Sequence, residues 1–326
     1  MFEFEGRQYE RREDETVLEC LLRHEVKVNS FCRTGACQAC VLKASAGQVP
    51  ATAQIGLKPA LKQQGFFLSC VCRPTERLQI ERCESSATFN SVVTRSERLS
   101  RDVNRVWLKR PADFEFLAGQ FVQLVRPHDG LMRPYSLASL PEDEELELHV
   151  ALLPNGQMSG WLNEAIGLPV HLRGPFGECF YQSSEPDRPL LLAGTGTGLA
   201  PLAGILKAAA RHGHRGPIAL FHGSPQLSGL YLRAELEELL TALPSLKLIG
   251  SALAGSDQEF AASGRWSLER TPLDQLILSR YEKLDAHRLY LCGNPELVQR
   301  LKKRAYLAGA SLERIHSDPF LPPASV

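Results

Sequence analysis

The run Phe31-Cys32-Arg33-Thr34-Gly35-Ala36-Cys37-Gln38-Ala39-Cys40 constrains this chain more than any other stretch. Three of its cysteines fall at C-x4-C-x2-C, and a fourth, Cys70, follows in Leu68-Ser69-Cys70. Four thiolates can share two irons. A loop that does this must wrap the cluster closely enough for backbone N–H groups to reach its sulfurs. Gly35 suits that demand, because it takes a positive φ and brings no side chain. Structural zinc and unligated buried thiols are the competing readings. Zinc prefers two paired C-x2-C knuckles, and only Cys37 and Cys40 make such a pair.

Composition narrows the class. At 326 residues the chain is too long for one ordinary core, which points to two or three domains. Lys+Arg and Asp+Glu both number 37, so nothing favours nucleic acid or an anionic membrane as partner. No apolar run is long enough to span a bilayer, and Met1-Phe2-Glu3-Phe4-Glu5 lacks the basic and apolar regions of a signal peptide. Nine unevenly clustered cysteines without a secretion signal point to ligation rather than disulfides, so the expected compartment is the cytoplasm.

Along the chain, the texture changes twice. Residues 1–86 read as a hairpin about Glu5-Gly6, a helix from Asp14 to Val26, the cysteine loop, and strands at Val41–Ala44 and Leu78–Ile80. Cys20 and Cys83 read as small hydrophobes. Glu84-Ser85-Ser86-Ala87-Thr88 has linker character. Residues 87–186 show short alternating segments punctuated by Gly and Pro, with Glu145–Ala151 the clearest strand, and predict a small antiparallel barrel. Residues 187–326 alternate continuous apolar runs with helices. Pro189–Ala193 and Ile218–Phe221 read as strands buried on both faces. Helices are expected at Pro201–His212 and Tyr231–Ala242, and another opens at Asn294-Pro295. That order predicts a parallel, doubly wound sheet.

The cysteine run, with Cys-Arg-x-Gly-x-Cys-x-x-Cys and the late Leu-x-Cys, resembles the plant-type [2Fe–2S] ferredoxin domain. The resemblance implies a β-grasp fold and selects Cys70, over Cys72, to join Cys32, Cys37 and Cys40 as cluster ligands. Residues 89–326 resemble the ferredoxin–NADP reductase superfamily. Its flavin motif, Arg-x-Tyr-Ser/Thr, stands here as Arg133-Pro134-Tyr135-Ser136. By that resemblance Arg133 meets the flavin pyrophosphate, Tyr135 packs on the isoalloxazine, and Ser136 hydrogen-bonds near N5. Asn155-Gly156-Gln157-Met158-Ser159 matches a second motif, with Asn155 in place of a glycine. There Gly156 and Ser159 would serve a diphosphate at the start of a helix Ser159–Ala165, which favours FAD over FMN. Gly174-Pro175-Phe176-Gly177 matches a turn that closes the barrel, and a turn without ligand is its simplest reading.

Gly194-Thr195-Gly196-Thr197-Gly198 lies between a buried strand and a helix, where an anion meets free N–H groups. It departs from the Rossmann spacing and resembles the superfamily's Gly-Thr-Gly-x-Ala-Pro loop for the nicotinamide nucleotide. Cys292-Gly293 matches the Cys-Gly-Pro that ends the last core strand, with Asn294 replacing the proline; an inert buried thiol is the competing reading. Asp318-Pro319-Phe320 resembles the terminal aromatic segment that covers the flavin in relatives, which makes Phe320 a candidate cover followed only by a short tail. Ser136, Cys292 and Phe320 are thus the expected residues of hydride transfer.

The whole layout resembles the reductase components of bacterial multicomponent oxygenases. It implies electrons passing from NAD(P)H through FAD and a [2Fe–2S] cluster to a terminal oxygenase. NADH is the expected donor, because such relatives mostly use it. A non-oxygenase acceptor, such as a deoxysugar dehydratase, is the alternative within the same chemistry. A binding or sensory module without turnover is the alternative of another class.

Overall fold

A computed structural model of the chain describes residues 1–35, 37–57, 59–82, 88–261 and 264–321. By its internal contacts the chain forms two compact units, Met1–Thr88 and Phe89–Leu321.

The first unit opens with β1 (Phe2–Phe4) and β2 (Arg7–Tyr9), joined through Glu5 and Gly6 at φ 50° and 78°. Two successive left-handed residues give the turn a twist that matches paired strands. Helix α1 spans Val17–Arg23, shorter than the expected Asp14–Val26. Thr16 decides its start: its hydroxyl accepts the Glu19 N–H, and the Glu19 carboxylate accepts the Thr16 N–H. Glu25, at φ 60°, turns the chain out of the helix. Then come β3 (Val41–Ala46), α2 (Pro59–Gln63), β4 (Phe66–Leu68) and β5 (Gln79–Arg82). The sheet order is β2-β1-β5-β3-β4, with β1 and β5 parallel. Phe2, Phe4, Leu21, Phe67, Leu78 and Ile80 fill its core. Cys83 and the linker stretch up to Ala87 lie outside the described residues.

The second unit begins with β6 (Thr88–Ser100), β7 (Val103–Lys109), β8 (Phe121–Val125), β9 (Met132–Ser136), β10 (Glu145–Ala151), α3 (Gln157–Glu164) and β11 (Pro169–Phe176). Their sheet runs β10-β7-β6-β11-β8-β9, and a bridge between Leu137 and Leu148 joins its two edges into a barrel. Val93, Val106, Leu108, Val122, Leu124, Leu146 and Leu148 point into it.

A parallel sheet follows. Its elements are β12 (Leu190–Thr195), α4 (Leu199–Arg211), β13 (Ile218–Gln226), α5 (Arg233–Glu238), β14 (Leu246–Ala254), α6 (Asp257–Ala261), β15 (Trp266–Glu269), α7 (Leu273–Arg280), β16 (Arg288–Gly293), α8 (Pro295–Leu307) and β17 (Ile315–Pro319). The strand order is β15-β14-β13-β12-β16-β17. One face packs Leu190, Leu192 and Leu220 against Leu199, Leu202 and Leu206 of α4. The other packs Leu191, Phe221 and Leu291 against α7 and α8. Burial on both sides is why these strands read as unbroken apolar runs. Helix α5 is shorter than the expected Tyr231–Ala242, because Leu240, Thr241 and Ala242 bond back only three residues. Asn294 caps α8, accepting the Leu297 N–H at 3.0 Å. Asp318 and Pro319 belong to the sixth strand, β17, and the Phe320 N–H donates to the Gly293 carbonyl at 2.7 Å.

Candidate functional site

Among its described residues the cysteine loop turns on three left-handed ones, Arg33, Gly35 and Gln38. A Cβ on Gly35 would lie 3.3 Å from Leu68, so the loop hugs β4. This winding aims N–H groups at sulfur. The amides of Thr34 and Cys37 both lie 3.4 Å from Cys32 Sγ, and the Cys32 amide lies 3.5 Å from Cys37 Sγ. The thiols form two pairs. Cys37 beside Cys32 holds the Cys32 thiol down at about 4, and Cys32 in turn pushes the Cys37 thiol well up. In the same way Cys70 lowers Cys40, and Cys40 raises Cys70. Ser69 fastens the second pair, donating its hydroxyl to the Cys40 carbonyl at 2.7 Å. Two thiol pairs suit two irons with two sulfur ligands each. Cys72 sits apart, buried among Phe2, Phe67 and Leu78, and desolvation pushes its thiol up to about 12.

In the barrel, Arg133, Pro134, Tyr135 and Ser136 end strand β9. Arg133 is half-buried, and burial works against its charge, so an anion beside it would be welcome. Tyr135 packs against the barrel core, where burial raises its hydroxyl. Asn155 takes φ 60°, as its stand-in for glycine requires, and Gly156 caps α3. The helix starts at Gln157, before the expected Ser159, so the free N–H groups belong to Gln157 and Met158 as well. Ser159 is buried, and its hydroxyl donates back to the Gly156 carbonyl at 3.2 Å. Gly174 and Gly177 flank Phe121 at a bulge in β11, where Gln120 Nε2 donates to the Gly177 carbonyl at 3.0 Å.

The glycines of the nucleotide loop do different jobs. A Cβ on Gly198 would lie 2.6 Å from the Cys292 carbonyl, and one on Gly293 would lie 2.6 Å from the Thr195 carbonyl. These two let the loop nest on the end of β16. Gly196, at φ 53°, faces open space. Thr195 Oγ1 accepts the Asn294 N–H at 3.1 Å. Thr197 stands between the glycines in a single turn of tight helix, Gly196–Gly198, that leads into α4. A glycine-rich turn ahead of a thirteen-residue helix suits a diphosphate.

One register line crosses the carboxyl ends of the strands: His222 in β13, Gly194 in β12, Cys292 in β16 and Asp318 in β17. The barrel meets this line. Ser136 Oγ donates to Asp318 Oδ2 at 3.1 Å, and Cys179 Sγ lies 3.5 Å from Cys292 Sγ. Phe320 follows β17 and is half-buried. Ser136, Cys292 and the β17 segment therefore converge, although they come from three distant parts of the chain.

Residues 3–75 match the 2Fe-2S iron-sulfur cluster binding domain, 90–181 the oxidoreductase FAD-binding domain and 192–303 the oxidoreductase NAD-binding domain. The ferredoxin–NAD(P)+ reductase component of the naphthalene 1,2-dioxygenase/salicylate 5-hydroxylase systems of Ralstonia sp. is 30% identical, over 94% of each chain. The chain belongs to the family of ferredoxin–NAD(P)+ reductase components. The reductase subunit of an aromatic O-demethylase from Amycolatopsis is also 30% identical, over 97% of each chain. The solved cytochrome P450 reductase of Amycolatopsis superimposes with a TM-score of 0.68 at 27% identity, covering 98% of each chain.

The reductase is thus an NAD(P)H-dependent oxidoreductase of the [2Fe–2S], FAD and NAD(H) type, an electron-transfer protein. Among its described residues no helix is long and apolar enough to cross a membrane. Sequence reasoning missed Asp318 as a site residue. Its carboxyl is raised to about 6 by desolvation, partly offset by the Ser136 hydrogen bond. An acid two residues before a candidate aromatic was visible in the sequence, but nothing there aimed it at Ser136. Cys179 was also missed, and no signal in the sequence pairs it with Cys292. The Cys292 thiol is fully buried and pushed well up by desolvation, so it acts as a neutral thiol.

Proposed function

We propose that this reductase takes hydride from NADH at the Ser136–Asp318–Cys292 junction and delivers electrons singly to a terminal oxygenase in the cytoplasm. The observation that carries this reading is the Ser136–Asp318 contact beside Cys292. It puts the end of the barrel's flavin motif against the strand that follows the nucleotide loop's neighbour, within one compact unit. Bound FAD supplies the conversion from two-electron to one-electron transfer, and a [2Fe–2S] cluster the single-electron exit.

On this reading Cys32, Cys37, Cys40 and Cys70 hold the cluster. Arg133 and the Gly156–Ser159 turn hold the FAD diphosphate, and Pro134 and Tyr135 shape the ring site. Gly194–Gly198 binds the nicotinamide nucleotide, with Cys292 and Gly293 beside it. Phe320 covers the flavin face until the nucleotide displaces it. Asp318, with a carboxyl that changes charge near pH 6, stores a proton that the Ser136 hydroxyl passes at the ring edge. Residues 1–86, 87–186 and 187–326 serve as the cluster, flavin and nucleotide domains, the last two working as one body.

Full-length similarity to a reductase component of dioxygenase and hydroxylase systems supports an oxygenase as acceptor. After Phe221 the chain offers His222-Gly223-Ser224-Pro225-Gln226, with neither an acid for a ribose 2′-OH nor a base for a 2′-phosphate, and Arg233 and Tyr231 follow, so NADH rests on the resemblance to oxygenase reductases. The test is anaerobic reduction of the purified protein by NADH and by NADPH, followed by transfer to a panel of oxygenase components. Flavin and iron–sulfur absorbance should bleach, with kcat/KM higher for NADH. Absence of bleaching with either nucleotide would remove the proposal.

A further inference from the structure

Strand β13 is apolar from Ile218 to Phe221, yet its next residue is a fully buried histidine, His222. Burial pushes its imidazole down to about 4, so the ring is neutral and carries one N–H. Nε2 lies 3.3 Å from the carbonyl of Gly196, at the tip of the nucleotide loop. Nδ1 has no hydrogen-bond partner among the described residues. With the proton on Nε2, the carbonyl gains a donor and only an acceptor stays unpaired. The other tautomer would set a lone pair against the carbonyl oxygen and strand a buried N–H, so Nε2 carries the proton. Tyr231 lies edge-on to the ring, with centroids 5.4 Å apart.

Gly196 has little else to fix it. It takes φ 53°, and a Cβ there would meet nothing within 4 Å. A glycine in open space has the widest choice of backbone conformation. Its carbonyl has two lone pairs: one meets the Leu199 N–H in the tight turn, the other His222. The Tyr231 hydroxyl also lies 3.3 Å from this carbonyl, but it has a single proton. That proton goes to His149 Nδ1, 3.0 Å away. Burial pushes the His149 ring down, so it too is neutral, and it gives its own proton to Glu147 Oε1. Glu147 is held ionised, against the cost of burial, by His149, Lys207 and Arg105. His222 is therefore the side chain that holds the loop carbonyl.

We infer that His222 is a positioning residue for nucleotide binding: it holds the Gly196 carbonyl inward, which turns the Thr197 N–H outward toward the diphosphate. The two groups belong to one trans peptide, in which C=O and N–H point in opposite directions. Among the described residues the cis bond is Gly174-Pro175, so this peptide is trans. A carbonyl aimed at a fully buried ring therefore aims the next amide away from the core, on the side where Thr197 is half-buried. An amide fixed in advance meets an anion without the cost of ordering a glycine turn. The diphosphate is held alike before and during hydride transfer. The contact thus contributes uniform binding, which shows in Kd and not in the limiting rate.

The inference rests on reading Gly194–Gly198 as the nicotinamide nucleotide loop. The test is calorimetric titration of the FAD- and cluster-loaded protein with NAD+, with stopped-flow reduction by NADH alongside. His222→Leu removes the donor and should raise Kd about tenfold, with the limiting rate at saturating NADH changed much less. His222→Asn keeps an amide but is too short to reach the carbonyl, so it should match His222→Leu in Kd. His222→Gln places an amide N–H where Nε2 stood and should recover most of the affinity. A histidine that only packs the core gives the opposite order, since leucine suits an apolar site better than glutamine. Wild-type Kd in His222→Leu and His222→Asn overturns the inference, as does a Kd in His222→Gln as high as theirs. So does slower flavin reduction of His222→Leu by N-benzyl-dihydronicotinamide, a hydride donor without phosphate, because the loss then does not pass through the diphosphate. Gly196→Val checks the loop reading separately: an unchanged Kd there removes that reading, while a raised Kd there beside a wild-type Kd in His222→Leu removes only the role of His222.

Discussion

The proposed cluster site takes three of its four thiols from Cys32–Cys40, whereas the proposed hydride junction takes Ser136 from β9, Cys292 from β16 and Asp318 from β17. The loop is wound by its own backbone, with left-handed Arg33, Gly35 and Gln38 turning amides onto sulfur. The junction is held by docking of a barrel against a sheet, with Gly204, Lys207 and Tyr231 at the contact. Damage to a ligand should therefore empty the first site outright. Damage to one side chain of the second should leave the site present but misaligned, and show as a rate.

The largest effect expected is at the loop. Cys70→Ser should abolish the cluster, while Cys72→Ser should leave it, since Cys72 belongs to the apolar core. Iron content and visible absorbance of both variants check this, and the reverse result would break the contrast between an assembled pair and a core thiol. Next, a fragment of residues 87–326 should still hold FAD and reduce ferricyanide with NADH, but lose most cytochrome c reduction. Equal loss of both activities would mean that the two regions are not separable.

At the junction the changes are graded. Cys292→Ala should slow the limiting rate of flavin reduction roughly tenfold, with little change in nucleotide Kd. Phe320→Ala should instead change Kd, because it removes a competitor for the flavin face. If neither variant moves either parameter, the junction is misassigned. Asp318 adds a pH signature. Its folded pKa, about 6, lies above the usual carboxylate value, so its neutral form favours the fold. That stabilisation is fully present below about pH 4 and is lost as the pH rises through about 6. Asp318→Asn should flatten both the melting temperature and the flavin-reduction rate across that window. A pH profile unchanged by the substitution counts against the proton role.

The smallest effect tests the local side of the comparison. Thr16→Ala removes one half of the capping box on α1 and should cost about 1 kcal/mol, read by denaturant unfolding of the first unit. Cluster content should not change, because Thr16 touches neither thiol pair.

Legibility followed the same division. The cysteine run, the glycine loop and the Arg133–Ser136 tetrapeptide are local patterns, and the structure places each on the expected turn, loop or strand end. Asp318 and Cys179 were not legible, because each matters through a partner far away in the chain. Strand β10 is the strand its alternation predicts, and its Leu146 and Leu148 lie in the barrel core. The other face is covered by the nucleotide-binding part, which no period-two pattern reports.

The amino-acid sequence by itself determined the chemistry available to this reductase: which thiols can hold irons, where a diphosphate meets free amides, and the order of sheet and barrel. These follow from spacing, backbone preference and apolar periodicity, all of which act over a few residues. Only the tertiary structure decided that Ser136 meets Asp318, that Cys292 lies against Cys179, and that Tyr231 meets His149. Those meetings depend on how a barrel edge seats on the carboxyl ends of a parallel sheet. That seating is fixed by packing summed over many residues, and it leaves no mark at any one of them.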